Sequence, residues 1–243
     1  MNVLNSPHDK ATRADTVYET MVREIHGGLL TAGQRVVETD WARRLAVSVT
    51  PVREALRRLE ADGVCVRDPH SGVRVRLWDQ VEARAVYEAR AAIEAEITAL
   101  AARRATDDEL VMLRDTLNQQ RQALTQGEFR EAQQLDTTFH LQLGQLAQSE
   151  VLASCLYKLW LLVPVLRTTV WQANQDANLG HMIPDHELLC DCLDHRHPEA
   201  AQEVARRHVH EAWIRVERAH QFPGHRSSHR SPGSGFRTPR EEG

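Results

Sequence analysis

Four side chains in the second half of this sequence have the types and spacing to hold a divalent cation. Asp136 and His140 stand four residues apart in "LDTTFHLQLG", which on a helix makes them neighbours on one face. The helical period through Ala132, Leu135, Phe139, Leu143 and Leu146 puts both at the inner margin of a buried stripe. His186 shares a face with Leu189, Cys190 and Leu193, and His208 falls in the spacing Ala201, Val204, Ala205, His208, Ala212. Three helices thus aim imidazoles or a carboxylate inward. Any one inward histidine is also what a hydrogen-bonded core residue looks like. Burying all four groups together is costly unless a cation turns each lone pair into a bond. Three imidazoles and one carboxylate suit zinc, and also nickel, copper, iron or manganese.

The elements that must position these groups are helical. From Trp78 onward, helical patterns fill 79–104, 107–126, 128–148, 150–173, 184–195 and 198–221, and Pro164 should kink or split the fourth. Ahead of them lies a different pattern. Apolar positions Val17, Met21, Val22, Ile25 and Leu29 make one helix, and a short helix follows from about Thr39 to Ala46. Next comes "PVREALRRLEADG", with Ser48 or Thr50 as its cap and Arg53, Arg57 and Arg58 facing outward. "VCVRDPHSGVRVRL" then alternates like two short strands about a turn. Helix, helix, helix, hairpin is the order of a winged helix-turn-helix, a DNA-reading unit. The expected organisation is mainly α: a flexible 1–11, a winged helix-turn-helix over 12–77, an all-α bundle over 78–221 and a disordered Gly/Pro/Ser/Arg-rich tail over 222–243.

Charge supports that division. The net charge of −4 argues against nucleic acid until it is split at Trp78, where 12 basic residues oppose 10 acidic ones before it and 18 oppose 24 after it. The basic surplus belongs to the winged-helix segment. No apolar run approaches the roughly 20 residues that span a bilayer, and the N-terminus lacks a signal-peptide core, so the expectation is a cytoplasmic protein with no membrane partner. Cys190 and Cys192 in "CDC" would point about 200° apart on a helix, which favours one buried thiol over a ligand pair.

"GQRVVETDWARRLAVSVTPVREALRRLEADGVCVRDPHSGVRV" resembles the winged helix of the GntR family of bacterial regulators, and the bundle behind it is similar to the FCD ligand-binding domain of the FadR branch. Together they span residues 12–221. The resemblance implies a homodimer on a palindromic double-stranded operator, acting as a repressor. It assigns Arg53 to base edges or phosphate, with Ser48, Val49, Thr50 and Pro51 at the helix tip. Thr39 and Arg43 fix register on phosphates, and Ser71 and Gly72 belong to the wing. Val49 stands where members carry arginine, and a valine can touch a thymine methyl. Asp-x3-His followed by two histidines 22 residues apart matches the metal-binding FCD pattern at Asp136, His140, His186 and His208. Arg90 matches an arginine that holds an effector carboxylate, with a surface ion pair to Glu94 as its other reading. Arg167 is a second candidate for the same small organic acid. The alternatives are a helical metal-dependent hydrolase and a regulator whose metal is purely structural; the expectation is that the chain is not an enzyme.

Overall fold

Thr12 opens the first helix through a reciprocal capping box with Asp15, which satisfies first-turn amides that a helix cannot pair internally. The computed structural model describes residues 12–68, 72–171 and 182–219. Helix α1 (Arg13–His26) is followed by strand β1 (Arg35–Val36), helix α2 (Glu38–Arg44) and helix α3 (Val49–Ala61). Strands β2 (Cys65–Asp68) and β3 (Gly72–Val75) pair antiparallel, with Cys65 opposite Val75 and Asp68 opposite Gly72. The sheet holds a third member that the hydropathy pattern did not show. Two-residue β1 adds to β3, with Arg35 opposite Arg74 and Val36 opposite Val73. A strand this short has no alternation to read.

The α2–α3 turn is tight because Ala46 takes a left-handed backbone (φ 52°). Ser48, one of the two caps read from the sequence, is the N-cap of α3, but its side chain makes no cap hydrogen bond. Val52, Ala55, Leu56 and Leu59 of α3 pack on Val17, Met21 and Ile25 of α1 and on Val73 and Val75. Leu161 and Val165 belong to that same core, and they come from a helix of the bundle.

The bundle comprises α4 (Gln80–Arg104), α5 (Asp107–Thr125), α6 (Phe129–Leu146), α7 (Glu150–Trp171), α8 (Met182–Asp194) and α9 (Pro198–Ala219). Capping boxes from Asp79 and Thr106 start α4 and α5. Helices α4 and α9 run antiparallel: Thr98 Oγ1 donates to the Ala201 carbonyl near one end, and Gln80 Nε2 donates to Glu217 near the other. A Cβ at Gly144 of α6 would lie 2.9 Å from Leu156 Cδ2, so this glycine sets how closely α6 meets α7.

Helix α7 is not split at Pro164; it continues from Glu150 to Trp171. Proline has no N–H to offer the carbonyl four residues earlier, so the Trp160 carbonyl loses its helical donor while the helix persists on its tertiary packing. Cys190 and Cys192 are both buried and both free, so the expectation of one buried thiol is corrected: α8 is covered on two sides. Among the described residues, no helix is long and apolar enough to cross a membrane.

An alanine held in the left-handed region costs about 1 kcal/mol relative to glycine. Ala46→Gly should therefore raise the thermal midpoint by a few degrees in a calorimetric melt. An unchanged or lower midpoint would show that the turn is not strained.

Candidate functional site

The inward face of α6 is rotated slightly from its expected position. Asp136 and His140 lie fully inside it with Ala132, Phe139 and Leu143, while Leu135 is only partly buried. From α8, His186 stacks on Phe139 at a centroid distance of 4.3 Å. From α9, His208 completes a triangle with centroid separations of 5.0 Å (His140–His186), 5.3 Å (His140–His208) and 4.9 Å (His186–His208). One ligand atom from each ring lies within 4.8 Å of the others. Nitrogens bound to one ion about 2 Å away stand about 3 Å apart, so small ring movements would complete such a set.

The two nitrogens of each ring have different surroundings. His186 Nδ1 is 3.2 Å from Gln120 Oε1, and His208 Nδ1 is 3.4 Å from Asp185 Oδ2. His140 Nδ1 is 2.9 Å from Glu94 Oε2, close but oblique. All three Nε2 atoms are buried and have no hydrogen-bond partner among the described residues. Acceptors on Nδ1 favour the tautomer that leaves Nε2 with its lone pair, which is how ligating histidines are oriented. Burial lowers His186 and His208 below the usual histidine value, His186 further through His208 and His140, so both are neutral as ligation requires.

Asp136 lies one step back from the triangle. Its Oδ2 accepts from Arg167 Nη1 at 2.6 Å. Its Oδ1 accepts from Gln120 Nε2 at 3.4 Å and stands 3.7 Å from His186 Nε2 and 3.9 Å from His140 Nε2. Burial works to raise this carboxyl, but the Arg167 guanidinium outweighs it and holds it ionised. Arg167, expected at an effector, is thus engaged with Asp136. Arg90 and Glu94 do form the i, i+4 ion pair, Nε to Oε1 at 2.7 Å, but deep in the bundle rather than at the surface. The Arg90 guanidinium lies 4.5 Å from the Trp160 ring centroid, and its Nη1 and Nη2 have no partner among the described residues. Glu94 also accepts from Trp160 Nε1 at 3.0 Å.

Gln120, Trp160 and Asp185 were not singled out in advance, and Glu94 was named only as a surface partner of Arg90. Gln120 had a readable signal, a polar residue continuing the stripe Leu110, Leu113, Leu117. Asp185 precedes His186 directly, whereas Trp160 looks like any core aromatic. His181 and the wing residues His70 and Ser71 lie outside the described residues, as do the expected flexible 1–11 and the tail over 222–243.

On the other unit, Thr39, Arg43, Ser48, Thr50 and Arg53 are exposed along α2 and the start of α3. Val49 and Gly72 are half-buried. Pro51, expected at the helix tip beside Arg53, is buried rather than exposed. Arg53 Nε donates to Glu38 Oε2 at 2.6 Å across the α2–α3 pair.

Residues 13–75 match the description "Bacterial regulatory proteins, gntR family", and residues 85–211, more than half the chain, match "FCD domain". The chain belongs to the GntR family of bacterial regulatory proteins. It is 34% identical to the Nta operon transcriptional regulator of Aminobacter aminovorans over 62% of this chain and 71% of that one. It is 28% identical to the transcriptional repressor RspR of Escherichia coli over 73% and 75%. The solved structure of E. coli McbR/YncC superposes with a TM-score of 0.80 at 21% identity, covering 86% of this chain and 99% of that chain, a likeness of fold. This GntR protein is accordingly a transcription regulator rather than an enzyme, and the hydrolase alternative falls away.

The two units of this regulator meet next to the site. The Trp160 carbonyl freed by Pro164 faces the His26 imidazole at the end of α1, while the Trp160 ring stacks on His140 at 4.4 Å. Burial pushes His26 down to about 4 from an ordinary value of 6.5, with the Trp160 carbonyl opposing. The unfolded chain therefore takes up this proton first, and stability present above pH 6.5 is lost as pH falls toward 4. His26→Gln removes that liability. Relative to the variant, wild type should lose about 2 kcal/mol between pH 7 and pH 5 in denaturant titrations. Parallel pH profiles would overturn the assignment.

Proposed function

We propose that this protein is a homodimeric repressor of a palindromic operator, controlled by a small organic acid at a divalent metal held by His140, His186 and His208 with Asp136 as the fourth ligand. The observation that carries this reading is the set of three buried Nε2 atoms without hydrogen-bond partners among the described residues, on rings that each bring one nitrogen within 4.8 Å of the others, while each Nδ1 faces its own acceptor. Three solvent-free lone pairs without donors are unfavourable, and a cation is the ligand that satisfies all three at once. When bound, a divalent ion supplies a Lewis-acidic position that an acid's carboxylate can occupy.

The residues of the chain do the rest. Glu94, Gln120 and Asp185 hold the ring orientations, Arg167 holds Asp136, and the two unpaired Arg90 Nη atoms offer a charge-assisted fork to the incoming carboxylate. Residues 78–221 serve as the sensing unit and 12–77 as the reading unit. In the latter, Arg53, Ser48, Thr50 and the Val49 methyls face the groove, and Thr39 and Arg43 reach phosphates. Wing residues Ser71 and Gly72 complete the contact. An acid that binds the DNA-incompetent arrangement more tightly shifts the equilibrium and relieves repression.

Elemental analysis should find about one divalent ion per chain in the purified protein, lost in His186→Ala and His208→Ala. Full metal content in both variants would sink the site. Arg53→Ala should weaken operator binding about 5- to 150-fold, the value of a lost bidentate base contact, in gel retardation at fixed salt with unchanged circular dichroism. Unchanged retardation would remove Arg53 from the interface.

A further inference from the structure

On α9, His208, Ala212 and Arg215 succeed one another at i, i+4 and i+7, so Arg215 continues the inward face about 10 Å beyond the imidazole. Helical side chains lean toward the helix N-terminus, which carries the guanidinium back toward His208. Only 21% of the Arg215 side chain is exposed. Its Nη1 is 3.8 Å from the half-exposed Glu211, and its Nη2 is buried with no partner among the described residues. Burial and the nearby Arg167 guanidinium both pull Arg215 below the ordinary arginine value, with Glu211, Asp185 and Tyr87 opposing. Its charge is thus held next to groups of the proposed metal site.

The antiparallel pairing of α4 and α9 sets what lies between. Tyr87 meets Trp213 at a centroid distance of 5.6 Å, which places the Tyr87–Arg90 turn of α4 alongside the His208–Arg215 stretch. Both Arg90 Nη atoms are buried and complete no hydrogen bond among the described residues, while the Tyr87 hydroxyl lies beside the Arg167 guanidinium. Unanswered guanidinium donors therefore stand at Arg90 and at Arg215, along the stretch that begins at the imidazoles.

The charges agree. Arg90 is balanced by Glu94, Arg167 by Asp136 and Arg207 by Asp185 at 3.3 Å. Among the described residues the one carboxylate within 4.0 Å of Arg215 is that of Glu211, which also stands 4.0 Å from Arg207. A divalent ion on three neutral imidazoles and on Asp136, whose charge Arg167 already answers, adds two positive charges to that surplus, more than a single carboxylate can neutralise. We infer that the effector is a dianion, a dicarboxylic acid in the simplest chemistry, with one acid group at the His140, His186 and His208 cluster beside Arg90 and the second held by Arg215. The inference rests on the metal-dependent acid site proposed above and adds Arg215 as its specificity-determining residue.

Calorimetric titration of the metal-loaded full chain with malonate, succinate, glutarate and adipate, each against its monomethyl ester, tests it. In wild type at least one diacid should bind about 10- to 100-fold more tightly than its ester, the range of a charge-assisted contact. Arg215→Gln should reduce that ratio to near one, with ester affinity and metal content unchanged, and Arg215→Lys should recover part of it. Diacids and esters binding alike in wild type, or a ratio that survives in Arg215→Gln, would overturn the inference. Ester binding without diacid preference defeats the dianion alone, whereas absence of the metal, or of binding by any acid, defeats the underlying site as well.

Discussion

Charge cannot be taken out of water without an answering group, and the centre of this bundle is organised around that constraint. Asp136, Glu94, Arg90, Arg167 and the three imidazoles lie within apolar helices at nearly zero exposure. The carboxylates are held ionised by guanidiniums at 2.6 and 2.7 Å, against a desolvation that would otherwise protonate them. Gln120 extends the same arrangement, with its carbonyl oxygen turned to His186 and its amide to Asp136. Six helices contribute to one polar knot, which is why each must hold its rotation about its own axis: a slip on α6 would move Asp136 and His140 together.

Helix α7 carries this constraint outward. One of its turns presents Trp160 to Glu94, Arg90 and His140, while neighbouring Leu161 and Val165 are buried in the winged-helix core. Tyr18 of α1 donates to Asp62 at 2.7 Å beside Tyr157 of α7. A change in how the polar centre is occupied thus acts on a helix that both units use as packing surface. Coupling of this kind needs no long chain of contacts, since Trp160 and Leu161 are adjacent.

Much of the arrangement was legible from residue order. Period and motif placed α3, the β2–β3 hairpin, the bundle and the inward histidines, because each is written in local spacing. The fine settings were not. The rotation of α6 that buries Asp136 fully is set by its neighbours in the bundle, a tertiary fact. Arg90 reads as a surface ion-pair residue by its i, i+4 neighbour, and only the covering helices make the pair a buried one. Pro51 sits in a motif that reads as exposed, yet it is buried. Strand β1 is two residues long and exists through its partner β3. The persistence of α7 through Pro164 likewise comes from the surfaces packed on either side of it.

Pro164 bears on what counts as a module here. Because it leaves the Trp160 carbonyl facing His26, and because Leu161 and Val165 fill the winged-helix core, the boundary near residue 77 divides the chain but not the structure. A chimaera that joined a foreign reading unit at that point would leave α7 with an uncovered apolar flank and an unanswered carbonyl. The exchangeable piece is the winged helix together with the α7 surface it rests on, so grafts between such regulators must carry residues 157–165 along with the N-terminal unit.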